Sequence, residues 1–335
     1  MPTANALVAA AASLLREVIP RIVRIAVFIT LGVYAANLAV EFGLIERIAG
    51  VAGYLTRPAN LPDEVGTAIL TTAASTTAGY ATLAEYRESG LLDDRATIVA
   101  VMINTFFGFL QHVFTYYVPV LIPILGLWTG VLYVSIRAGI SLAITISGVL
   151  IGGVVLSSRN VDRSAIDAAA SDGHNTGHAA ASDDRTTRDR AIVAAERSYG
   201  TLSRIVPRLV IVYTLVIALI THVDVEALTG AAKPLTAVLD LPGASVAIVA
   251  IYSLDTTAGA VAIAPLIGET FTPRTAVATM LLGGIVSFAV STFKRSIPFQ
   301  FGIWGPEFGT KVIAVNTAMK LVFISIAIAG LLLVP

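Results

Sequence analysis

The chemistry-bearing residues of this 335-residue chain fall in a few places, and the clearest is a short motif that occurs twice. Thr76-Thr77-Ala78-Gly79 follows Ser75 in the first half, and Thr256-Thr257-Ala258-Gly259 follows Asp255 in the second. Threonine hydroxyls, with a glycine that lets backbone approach closely, suit a polar binding point. If a helix also starts or stops there, its unpaired N–H and C=O groups can hold a polar or anionic solute, or a cation, without a charged side chain. Asp255 adds a carboxylate where the other copy has Ser75, which makes it the candidate for a coupling cation or proton. Both residues are equally good helix caps, and capping does not exclude binding. Downstream of the first motif, Asn104, Gly108, Gln111 and Thr115 recur at helical spacing as one polar stripe with His112 beside it. Amides and imidazoles in an apolar run either line a wet cavity or bridge helices, and Asn104 and Gln111 are the stripe's binding candidates.

Other chemistry is thinly represented. His174 and His178 have i, i+4 spacing, but Gly177 and a polar surround disfavour the helix a metal pair would need, so no metal is expected. The chain has no cysteine, which removes disulfides, thiolate metal sites and cysteine nucleophiles. The threonines have no adjacent base and no phosphate loop is visible; the chain is read as no enzyme and as needing no cofactor beyond a coupling cation, Na+ or H+.

These residues must be positioned by elements that live in lipid. The sequence is 56% hydrophobic and 13% charged, against about 25% charged in an average globular protein. A soluble core cannot hide so much apolar surface, so the backbone must satisfy itself within helices, with the lipid bilayer as the chief partner. Lys plus Arg and Asp plus Glu balance at 22 each, which argues against nucleic acid. The sequence leaves a homo-oligomer open. Six spans are expected at 21–40, 96–118, 131–156, 209–222, 275–293 and 312–334. Residues 1–19 are too short an apolar run to cross and suggest an interfacial helix. Residues 157–203 are charged, polar and without periodicity, a flexible linker between a repeat at 20–156 and another at 204–335.

The halves match. At a shift of 180, Glu46 meets Glu226, Leu61-Pro62 meets Leu241-Pro242, and the Thr-Thr-Ala-Gly motifs coincide. After a one-residue slip, Pro119 meets Pro298, Gly126 meets Gly305 and Gly130 meets Gly309. Proline and glycine falling in register do not come from apolar bias, so this is an internal repeat. In segment 61–92 two short apolar arms flank the motif; neither can cross alone, and together they predict a re-entrant hairpin with the motif at its tip. The second copy, 243–269, reads either as such a hairpin or as one ordinary span. Each repeat would hold a span, an amphipathic helix (44–55; 225–238), a hairpin and two spans. Three crossings is odd, so the copies would insert upside down. The fold class is therefore an all-α polytopic membrane protein of two inverted repeats. With that topology 14 Lys and Arg fall on the linker's side and five on the other, counted along the sequence. The bias puts the linker in the cytoplasm of a multi-pass plasma-membrane protein.

Paired amphipathic helices, Thr/Ala/Gly-tipped hairpins and a polar span resemble the Gate, or nucleoside-recognition, domain of concentrative nucleoside transporters, the membrane part of ferrous-iron transport proteins and spore maturation proteins. The resemblance implies a secondary transporter or permease for a small polar solute or ion, nucleoside-like solutes included. It carries solute or ion contacts onto Ser75, Thr76, Thr77, Asn104, Asp255, Thr256 and Thr257. The rival it also implies, from the spore-maturation side, is a non-transporting scaffold or regulatory protein. Water-accessible polar tips favour transport; a dry, packed centre favours the scaffold.

Overall fold

The computed structural model describes residues 52–162 and 239–333, apart from 293–295, with isolated positions at 19–34 and 188–211. The expected interfacial helices 1–19 and 225–238, the spans 21–40 and 209–222, all but the end of 44–55, the linker beyond 162, and His174, His178 and His222 lie largely or wholly outside the described residues. What is described is all-α: among the described residues no strand forms.

A short helix α1 (Ala52–Thr56) leads through Pro58 and the left-handed Asn60 (φ 57°) into α2 (Asp63–Ala74). Asp63 and Glu64 sit in the first turn of α2, where carboxylates complement the helix dipole. At Ser75 the backbone turns extended (φ −146°, ψ 107°) and α3 (Thr76–Glu88) begins, with the Ser75 hydroxyl accepting from the Ala78 N–H at 3.3 Å. The chain doubles back here. A Cβ on Gly79 would run into the Thr72 side chain and lie 2.8 Å from the Ala68 carbonyl, whereas eleven residues of straight helix span about 16 Å.

The second copy, which the sequence left open, is also a hairpin. Helix α8 (Ser245–Leu254) breaks at Asp255 (φ −151°, ψ 119°), and α9 (Thr256–Ile263) returns with Gly259 seated on Tyr252, a Cβ there falling 2.5 Å from Tyr252 Cα. Asp255 accepts from the Ala258 N–H at 2.8 Å, as Ser75 does from Ala78.

Among the described residues three helical stretches, Asp94–Leu125, Leu127–Val155 and Ile297–Leu333, are long and apolar enough to cross a membrane. The protein thus has the architecture of an all-α membrane-associated chain. The first stretch is not the unbroken span expected at 96–118. It consists of α4 (Asp94–Ile103), a turn at Asn104, α5 (Thr105–His112), a π-helix (Val113–Leu121) and α6 (Ile122–Leu125). Pro119 has no N–H to donate, and the widened π turn absorbs that gap. After Gly126 comes α7 (Leu127–Val155). In the second half α10 (Pro273–Ser291) is capped by Thr272, whose hydroxyl accepts from the Thr275 N–H at 3.2 Å. The last span starts earlier than the expected 312: α11 (Ile297–Leu333) begins at Ile297 and bends at Gly305 (φ 73°), ahead of Pro306.

Backbone conformations recur at the repeat spacing. The left-handed Asn60 and Asp240 lie 180 apart, and Gly126 (φ 80°, ψ 159°) and Gly305 (φ 73°, ψ 168°) lie 179 apart. The halves interlock rather than stand side by side. One apolar cluster buries Trp304 and Phe308 of α11 among Leu83, Val101 and Phe107, and the other buries Tyr252 and Val261 among Tyr117, Tyr133 and Ile144. Asp94 ties the halves electrostatically, pairing with Arg87 at 2.8 Å and Lys311 at 2.9 Å.

Candidate functional site

The break at Asn104 is held open by α7. The Thr145 hydroxyl donates to the Ile103 carbonyl at 2.9 Å and accepts from the Phe106 N–H at 3.1 Å, so backbone groups freed by the break find a partner on the neighbouring helix. Gly148 permits that approach: a Cβ there would lie 2.9 Å from Met102 Cβ. Asn104 occupies the start of α5 but does not cap it. Its side chain is 1% exposed, and neither Nδ2 nor Oδ1 has a hydrogen-bond partner. A buried amide left unmade costs on the order of 1–3 kcal/mol, and in native proteins it calls for a reason.

Beside it lies a cavity of about 190 Å³, bounded by the tip residue Thr76, by Asn104 and Gly108, and by groups from α7 and α11. From α7 come Arg137, Ile140, Ser141 and Ile144, one helix face; from α11 come Asn316 and Lys320, one turn apart. Arg137 hydrogen-bonds the Tyr117 hydroxyl, and Arg137 and Lys320 lie within electrostatic reach of each other. No acidic residue lines the cavity. Arg57 pairs with Asp63, and Arg87 and Lys311 with Asp94; among the described residues no carboxylate pairs with Arg137 or Lys320. A second, more open depression of about 730 Å³ shares Thr76 and His112 with the cavity and adds Gln111, Phe299 and Gln300. Between the two, the Thr76 hydroxyl donates to Gln111 Oε1 at 2.6 Å.

The expected polar stripe is therefore split. His112, rather than Gln111, follows Asn104 and Gly108 into the inner cavity, while Gln111 faces the outer depression and Thr115 is exposed, its hydroxyl turned onto the Gln111 carbonyl. Gln111 and His112 stand about 100° apart on α5, so one helix face does not bring both to the inner cavity, and the π-helix begins only at Val113.

The second tip sits elsewhere. Thr257 bonds the Tyr116 hydroxyl at 3.0 Å, Thr256 also reaches Tyr116, and Asp255 caps α9; none of these, nor Ser75 or Thr77, borders the inner cavity. The π-helix connects the two places. Tyr116 faces the second tip, while its neighbour Tyr117 stacks edge-on to it at 5.5 Å and turns to Arg137.

No family model matches the chain. An uncharacterized protein of Methanocaldococcus jannaschii, MJ0871, is 26% identical to it over 314 residues, 93% of each chain. A second from the same organism, MJ0880, is 24% identical over 304 residues, covering 90% of this chain and 94% of the relative. No solved structure matches. The likeness takes in both halves of the chain, hairpins included.

Sequence reasoning reached Thr76, Asn104 and Gln111 but missed Arg137, Lys320 and Asn316. A signal was there: Arg137 and Lys320 are cations inside apolar runs of spanning length, and ionisable groups at such positions are costly unless they serve a purpose. What the sequence could not supply is that α7 of one half and α11 of the other meet at the same hairpin tip.

Proposed function

We propose that this protein is a secondary transporter or permease whose solute site is the cavity at the first hairpin tip. The observation that carries the reading is Asn104: a buried amide with both ends unpartnered, at a helix break, in the wall of a cavity that also holds Arg137 and Lys320. Broken helices and hairpin tips around a central cavity are how inverted-repeat transporters build a midplane site. The recurrence of backbone geometry at Asn60/Asp240 and Gly126/Gly305 supports two such repeats. The Lys and Arg count favours an orientation in the plasma membrane that leaves linker 157–203 on the cytoplasmic side. The Gate-like resemblance belongs to the same proposal. The second tip, with Asp255, then serves the coupling cation, and the Thr76–Gln111 bond stands between the outer depression and the site.

At about 190 Å³ the cavity is below the roughly 300–1,000 Å³ that encloses a drug-sized ligand, so the solute is small. A scaffold would instead call for a dry, packed centre. The test is a thermal melt of purified protein against nucleosides, amino acids, organic acids and phosphate. A true solute at about 100 times its dissociation constant stabilises by roughly 2.7 kcal/mol, and Thr76→Val should weaken that effect. A panel in which nothing shifts the melt would count against a solute site.

A further inference from the structure

The cavity's charge is one-sided. Two cations from opposite halves, Arg137 and Lys320, border a space of about 190 Å³ with no acidic residue in its wall. Leaving two positive charges unpaired in such a place is strongly unfavourable, and a neutral solute would leave them so. A third positive influence comes from the hairpin: Thr76 opens the 13-residue helix α3, whose N-terminal end carries the positive pole of the helix dipole. Asn104 adds a different demand. It borders the space with Nδ2 and Oδ1 both buried and unpartnered, and an occupant toward which the amide turns would have to offer it an acceptor and a donor.

We propose that the cavity takes a small, water-soluble oxyanion bearing a hydroxyl, of the hydrogenphosphate or hydroxycarboxylate class. Arg137 and Lys320 hold its charge and Asn104 its hydroxyl. The assignment rests on the cavity being the solute site, and deepens that reading by fixing the sign of the solute. Arg137's planar fork suits two oxygens of one carboxylate or phosphate, while Lys320 supplies a point charge free to follow the anion's size.

The experiment is a series of thermal melts in neutral detergent at constant ionic strength with five probes: inorganic phosphate, malate, succinate, uridine and added phosphatidylglycerol. Phosphate or malate should stabilise the wild type, and succinate, which lacks the hydroxyl, should act more weakly than malate. Arg137→Met and Lys320→Met should each raise the concentration of anion needed by roughly ten- to a hundredfold. Lys311→Met, whose cation is matched outside the cavity, should leave it unchanged. If Arg137→Met does not fold, Arg137→Lys and Lys320→Gln carry the comparison. Stabilisation by uridine and by neither anion would overturn the inference while leaving the solute site standing. No effect of any probe would count against both. Equal anion effects in wild type, Arg137→Met and Lys320→Met would mean binding elsewhere and would overturn it. Stabilisation by phosphatidylglycerol alone would name a lipid headgroup and overturn a soluble solute.

Discussion

Gly79→Ala is expected to lower the stability of the folded protein by about 3 kcal/mol or more, the upper range for overpacking a tight contact. The added methyl would meet the Thr72 side chain and two backbone atoms, Thr72 N at 2.7 Å and the Ala68 carbonyl at 2.8 Å. Backbone cannot move aside as a flexible side chain can. The opposing term is helix propensity, which favours alanine over glycine by up to about 1 kcal/mol and is too small to win. Gly139 in α7 provides the control, since a Cβ there meets nothing within 4 Å. Gly139→Ala should therefore be neutral or slightly stabilising. Melting curves of the two variants in the same detergent decide the matter: equal stability would mean that the hairpin arms do not pack as described.

The second large effect concerns Asn104. Leucine has the same number and branching of side-chain heavy atoms and none of them polar, so Asn104→Leu removes a desolvated amide that has no hydrogen-bond partner. The unliganded variant should be as stable as the wild type, or more stable by about 1–3 kcal/mol. Ligand-induced stabilisation should vanish. An interhelical bridge would behave in the opposite way, losing stability on substitution while retaining binding in the surviving protein. Melts of both proteins with and without the stabilising solute separate the two.

Much of this arrangement was legible because it rests on residue types with strong local preferences. Ser75 and Asp255 cap helices, and both stand where a helix restarts. Gly126 and Gly305 take positive φ that other residues avoid. Asn104 stood out as an amide in an apolar run. The rest depended on contacts no local pattern encodes. Of the neighbours Gln111 and His112 on α5 only His112 borders the inner cavity, so the stripe that looked continuous divides between two spaces, and the π-helix around Pro119 affects only Thr115 beyond. The threonines of both tips read as solute contacts, but in the second tip Thr257 is bonded to Tyr116. Arg137 and Lys320 acquire meaning only when α7 and α11 converge on the same tip.

The solute-site account stands or falls on whether water and solute reach the cavity, and Ser141 is the place to ask. It borders the cavity on the same face of α7 as Arg137, and the chain has no native cysteine to confuse the labelling. Ser141→Cys in membrane vesicles should react with a small anionic methanethiosulfonate, helped by the neighbouring cations that favour the thiolate. Solute that stabilises the wild type should protect it. Ser245→Cys is the reference, because Ser245 is buried against Thr279 at 3.1 Å and should stay unlabelled. A Ser141→Cys protein as inert as Ser245→Cys would show a dry, packed centre and contradict the account.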